Sequence, residues 1–117
     1  MENRRQYTRF EVAIAAEIDT DGDTLMAEAR DISAGGVAVI LREPLEEGSS
    51  IDLALILTQD GIEDPSEDPF ATRANVMWSA PTEDGRAMVG LRFTQVAPPE
   101  RKRLERFLAA LGQNERR

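Results

Sequence analysis

Three arginines open this chain at a spacing suited to gripping an anion. Arg4 and Arg5 stand together, and Arg9 follows four positions after Arg5. A guanidinium fork meets phosphate oxygens, or the O6 and N7 edge of guanine, with two parallel hydrogen bonds. About two dozen residues later comes Asp31-Ile32-Ser33-Ala34-Gly35-Gly36, a DxSxxG. A carboxylate there can accept from guanine N–H donors. A serine hydroxyl serves phosphate or base, and glycine lets a backbone approach a ligand closely. Together these groups have the means to hold a phosphorylated guanine compound. Each motif alone is ordinary: an arginine cluster in a chain with 13 arginines, and a turn built from common turn residues.

Composition removes most other chemistry. The 117 residues include no cysteine and no histidine. Disulfides, thiolate metal sites, the commonest general base and every Ser-His-Asp arrangement are therefore excluded. The acidic residues form no recognisable catalytic pair, so no enzymatic activity is expected. The net charge of −8 would repel a nucleic-acid backbone or an anionic membrane, so neither DNA nor RNA is an expected partner. The aromatics are too few for a single-stranded nucleic-acid platform. The longest apolar run, 51–57, contains Asp52 and is far too short to span a bilayer. No apolar stretch follows the first residues, so neither a secretory signal nor membrane insertion is expected, and the location expected is the cytoplasm.

The elements that must position these groups follow from periodicity. Phe10, Val12, Ile14, Ala16 and Ile18 alternate with polar and small residues, the period of a half-buried strand. Asp21-Gly22 then signals a hairpin turn. Further strands are predicted over 24–30, 36–41, 51–57, 71–79 and 87–94, with a turn at Asp84-Gly85. The acidic segment 59–69 reads as a loop, punctuated by Gly61, Pro65 and Pro69. Pro98 and Pro99 open a helix over about 99–111, with Leu104, Phe107, Leu108 and Leu111 on one face and Gly112 as terminator. Residues beyond Gly112 read as a frayed tail. Six short strands at close spacing predict an all-β antiparallel barrel or sandwich, its open end covered by the one C-terminal helix.

Two further features resemble cation sites. Asp19, Asp21 and Asp23 imitate the start of an EF-hand loop, but glycine falls one place early and the twelfth position is Arg30. Glu63, Asp64, Glu67 and Asp68 read as a solvated charge run. No metal or cofactor is expected. Trp78 has two readings: a strand-end core residue, or a stacking platform for a base.

The two motifs, in this order and separation, resemble those of the PilZ domain family. Val89-Gly90-Leu91-Arg92-Phe93 is similar to that family's last barrel strand, and Trp78 also has counterparts there. The resemblance runs from about Arg4 to Leu111. It implies a six-stranded antiparallel split β-barrel with a C-terminal α-helix, in a single PilZ-like domain over 1–117. It implies a flexible arm over 1–9, a barrel over about 10–94, and cyclic di-GMP as ligand. The ligand-binding residues it implies are Arg4, Arg5, Arg9, Asp31, Ser33, Gly35, Gly36 and Trp78. Ligand would order the arm and pass the signal to an effector protein not identified by the sequence, in a process such as motility or biofilm formation. The rival is a PilZ-like protein–protein module independent of nucleotide, against which the intact motifs count.

Overall fold

A computed structural model of the chain describes residues 8–57 and 69–115, with side chains to residue 112. Strands β1 (Phe10–Asp19), β2 (Thr24–Ile32), β3 (Gly36–Leu41), β4 (Ser50–Leu55), β5 (Phe70–Pro81) and β6 (Ala87–Thr94) precede helix α1 (Pro98–Glu115). All pairings are antiparallel, in the order β1-β2-β3-β6-β5-β4, and β4 returns to β1 to close the barrel. Of the barrel and the sandwich that the strand pattern allows, the barrel is the fold observed, with the one C-terminal helix as expected. The acidic segment falls almost wholly in 58–68, outside the described residues, and with it Glu63, Asp64, Glu67 and Asp68.

Alternation builds the interior. Ile14, Ala16 and Ile18 of β1 point inward with Ile51, Leu53 and Leu55 of β4 and Val89, Leu91 and Phe93 of β6. Phe70 and Phe93 meet edge to face, with ring centroids 5.3 Å apart. β3 is buried at every position, because Ala38 and Ile40 on its outer face are also covered. The Asp21-Gly22 and Asp84-Gly85 turns form as expected. Gly22 and Gly85 have φ of 91° and 90°, a backbone region that costs residues with a Cβ. In the first turn Thr24 donates to Asp19 at 2.7 Å, so the aspartates that imitate a calcium loop serve a hairpin. In the second, the Arg86 guanidinium and the Thr82 hydroxyl hold the exposed Asp84 carboxyl well below the usual carboxylate range.

Helix α1 closes one barrel end. Leu104 and Phe107 enter the core. Glu100 accepts the Ala71 N–H, and Arg103 donates to the Pro69 carbonyl. Two prolines at the start cost nothing, since the first helical N–H groups have no partner within the helix. The expected stop at Gly112 is wrong: the helix runs on to Glu115. Gly112 does not adopt the left-handed conformation of a terminating glycine. A Cβ there would sit 3.7 Å from the Phe10 ring, so this position faces β1 and tolerates a small residue inside the helix.

Strict alternation breaks at two places that matter for the site. β2 carries a bulge at Arg30: Ala29 pairs with Val39 and Asp31 with Ala38, leaving Arg30 without a partner on β3. β5 carries another at Met77, between the pairs Val76–Leu91 and Trp78–Gly90. A bulge inserts one residue and turns the next side chains to the opposite face. Without the first, Asp31 would follow Ala29 toward the interior. Without the second, Trp78 would follow Ala74 and Val76 into the core.

Candidate functional site

The re-aimed residues lie on one outer face of the barrel, in the row Asp31–Ala38–Gly90–Trp78 across four strands. Asp31 stands on the outside at the end of β2, and Arg9, just before β1, reaches it with Nη2 2.8 Å from Oδ1. β1–β2 pairing explains the meeting, because Glu11 registers with Asp31 and brings the start of β1 alongside. Both side chains remain partly exposed. An ion pair of this kind contributes only about 0–1 kcal/mol, so either partner can be given up to a ligand at low cost.

The rest of the DxSxxG forms the tight β2–β3 turn. The Ser33 N–H donates to the Gly36 carbonyl at 2.9 Å, and the Gly35 N–H donates to Ser33 Oγ at 3.2 Å. Ser33 is 2 % exposed, and its hydroxyl in turn donates to the Gly36 carbonyl at 3.4 Å. The serine therefore shapes the turn from within. The Gly35 carbonyl accepts the Phe93 N–H at 2.9 Å, tying the turn to β6. Gly36 registers with Arg92, and a Cβ on it would strike the backbone carbonyl of Leu91. Glycine is required there for close approach of β3 and β6.

Trp78 lies outward at 44 % exposure beside Met77 at 49 %. The core reading of Trp78 is therefore excluded. A Cβ on Gly90 would strike the Trp78 indole, so the bare backbone of β6 is the surface against which the ring rests. Gly90→Ala is expected to push the indole off β6 while the barrel stays folded. The chain has one tryptophan, so its emission should shift to longer wavelength and become more open to acrylamide quenching. Unchanged emission and quenching would show that Gly90 does not seat the ring.

Arg9, Ser33, Gly35, Gly36, Trp78 and Arg92 line one depression of about 230 Å³. Arg92 is the residue that sequence reading misses. It sits on β6 between Gly36 and Asn75, exposed, and forms no ion pair among the described residues. The available signal is its place one residue from Phe93 in the last strand, opposite the second glycine of the motif. Arg4 and Arg5 lie outside the described residues. Among the described residues no cluster of acidic side chains is arranged to hold a metal ion, and no helix is long and apolar enough to cross a membrane.

The arrangement supplies a cationic fork, a second arginine and an aromatic wall around one concavity, and a carboxylate acceptor bonded to the fork. Those are the parts for a ligand carrying phosphate and a flat base with N–H donors.

Comparison with known proteins gives one family from sequence, and solved structures that share the fold. The family model for the PilZ domain matches residues 3–110. A curated relative, the flagellar brake protein YcgR of Thioalkalivibrio sulfidiphilus (strain HL-EbGR7), is 27% identical over 121 residues, covering 99% of this chain and 47% of its own length. The chain thus spans about half of that relative. Among solved structures, YcgR from Escherichia coli in complex with c-di-GMP superposes with a TM-score of 0.77 at 23% identity, over 97% of this chain and 48% of that one. The PilZ domain of the same protein with c-di-GMP gives 0.72 at 20% identity, over 97% and 95%.

Proposed function

The chain belongs to the PilZ domain family, and from that membership we propose that it is a receptor domain for cyclic di-GMP, binding the nucleotide without changing it. The observation that carries the reading is the convergence of Arg9, the Ser33–Gly36 turn and Trp78 on one depression, with Asp31 bonded to Arg9. Arg5 and Arg9 take phosphate oxygens and the guanine O6 and N7 edge. Arg4 adds a further contact. Asp31 exchanges Arg9 for the N1 and N2 donors of guanine. Ser33 acts through the turn it holds, and Gly35 and Gly36 keep the backbone accessible. Trp78 stacks on a base, and Arg92 adds a further cation to the same depression.

The depression is smaller than the roughly 300–1,000 Å³ of a typical ligand pocket. A dinucleotide would fill it and extend beyond it. Binding draws the segment bearing Arg4 and Arg5 across the barrel face, and the altered surface is what a partner protein reads. Each charge-assisted contact contributes about 1.5–3 kcal/mol, against the ordering cost of the segment. The curated relative is named a flagellar brake protein, so a motility component is the first partner class to examine.

Trp78 reports the test directly. Cyclic di-GMP should change its emission saturably, and GTP should not. Emission indifferent to cyclic di-GMP, with the protein shown to be folded by circular dichroism, would contradict the proposed role of Trp78 at the site.

A further inference from the structure

We infer that Arg101 is a positioning residue for the DxSxxG turn, and that it couples helix α1 to the nucleotide site. The ligand part of this inference rests on the receptor reading above. The coupling itself belongs to the free chain.

Arg101 stands in the first helical turn, where its N–H donates to the Ala97 carbonyl at 2.9 Å. That is a poor place for a cation, because the helix N-terminus carries partial positive charge. The neighbouring carboxylate does not compensate it: Glu100 accepts from the Ala71 N–H and from Arg103. The Arg101 guanidinium instead leaves the helix, and its Nη1 donates to the Ala34 carbonyl at 2.9 Å in a partly buried contact. Ala34 is the first of the two variable residues between Ser33 and Gly36 of the motif.

The turn is therefore held by three independent elements. Ser33 bonds it from within, Phe93 of β6 holds the Gly35 carbonyl, and Arg101 of α1 holds the Ala34 carbonyl. Ser33, Gly35 and Gly36 line the depression, so the turn lies between ligand site and helix. The same helical segment is anchored on its other side, at Ala71 and Pro69 of the β5 end. A shift of the turn must move the helix or break the Arg101 bond. Binding linkage is reciprocal: if the docked helix favours the ligand-competent turn, ligand favours the docked helix. Lys102, Glu105 and Arg106 are exposed on this helix, which makes it a surface on which occupancy can be read.

The test compares the whole chain with Arg101→Met, Arg101→Lys and the exposed-site control Arg106→Met. Amide hydrogen exchange of Gly35 and Phe93 is measured without ligand, and affinity for cyclic di-GMP by calorimetry. Arg101→Met should speed exchange at Gly35 and Phe93 and weaken binding about five- to twentyfold. Arg101→Lys should restore part of both, and Arg106→Met should change neither. Unchanged exchange in folded Arg101→Met protein would overturn the coupling, whatever the ligand result. Faster exchange with undiminished affinity would overturn the positioning role. If the unaltered chain binds no cyclic di-GMP, the receptor reading fails, while the exchange arm still decides the coupling.

Discussion

Replacing Asp31 or Arg9 with alanine is expected to weaken cyclic di-GMP binding by at least about tenfold each, with almost no loss of folding stability. On the receptor reading proposed above, each side chain would supply the ligand with one or more charge-assisted hydrogen bonds worth about 1.5–3 kcal/mol, which converts to roughly ten- to 150-fold in affinity. In the free chain the two are bonded to each other, at 2.8 Å and partly exposed. Removing either therefore changes stability by less than about 1 kcal/mol. Loss of one partner also frees the other, so the double variant should lose slightly less than the sum of the single losses. Calorimetric titration and thermal melting of the three variants check this together. Asp31→Ala binding as tightly as the unaltered chain would remove the carboxylate from the site.

Leu104→Ala should do the reverse and strike stability first. Leu104 is fully buried where α1 closes the barrel. Truncating a buried leucine costs about 2–5 kcal/mol through lost burial and the cavity left behind. Domains of this size have only about 5–15 kcal/mol in all. At about 4 °C per kcal/mol the melting midpoint should fall by roughly 8–20 °C. Since Arg101 ties this helix to the β2–β3 turn, affinity should fall as well. A fall of less than about 4 °C would mean that the barrel holds together without a well-packed helix.

Most of the barrel is legible in the sequence because its signal is period two. β1, β3 and β6 begin where alternation and turn residues place them. Alternation fails where a bulge intervenes, and the bulges on β2 and β5 fall at the site. Apolar alternation along β2 stops at Arg30 and leaves Asp31 to the connection, whereas pairing continues through Ile32. Along β5, alternation from Phe70 through Val76 sends Trp78 inward, and only the extra residue at Met77 turns it out. A bulge depends on how two strands register, and one strand's sequence does not carry that information. The hydrogen bond from Arg101 to Ala34 spans 67 positions and arises from helix docking alone. Arg92 escapes notice because one arginine in an alternating strand reads as a solvated residue. Its place opposite Gly36 emerges only when β3 and β6 pair.

Asp31 and Trp78 thus share a cause. Each is an outward side chain delivered by a bulge, one on β2 and one on β5, on either side of the β3–β6 pair that carries Gly36 and Gly90. The two glycines remove the side chains that would stand in the way, from the Leu91 carbonyl in one case and from the Trp78 ring in the other. The depression is a consequence of barrel register as much as of the motif residues that line it.

The central claim is tested most directly by calorimetric titration of the folded chain with cyclic di-GMP, with GTP as control. The account predicts saturable binding of cyclic di-GMP, no comparable binding of GTP, and loss of the signal in Asp31→Ala protein that melts normally. Folded protein that gives no saturable binding at high cyclic di-GMP concentration would contradict it.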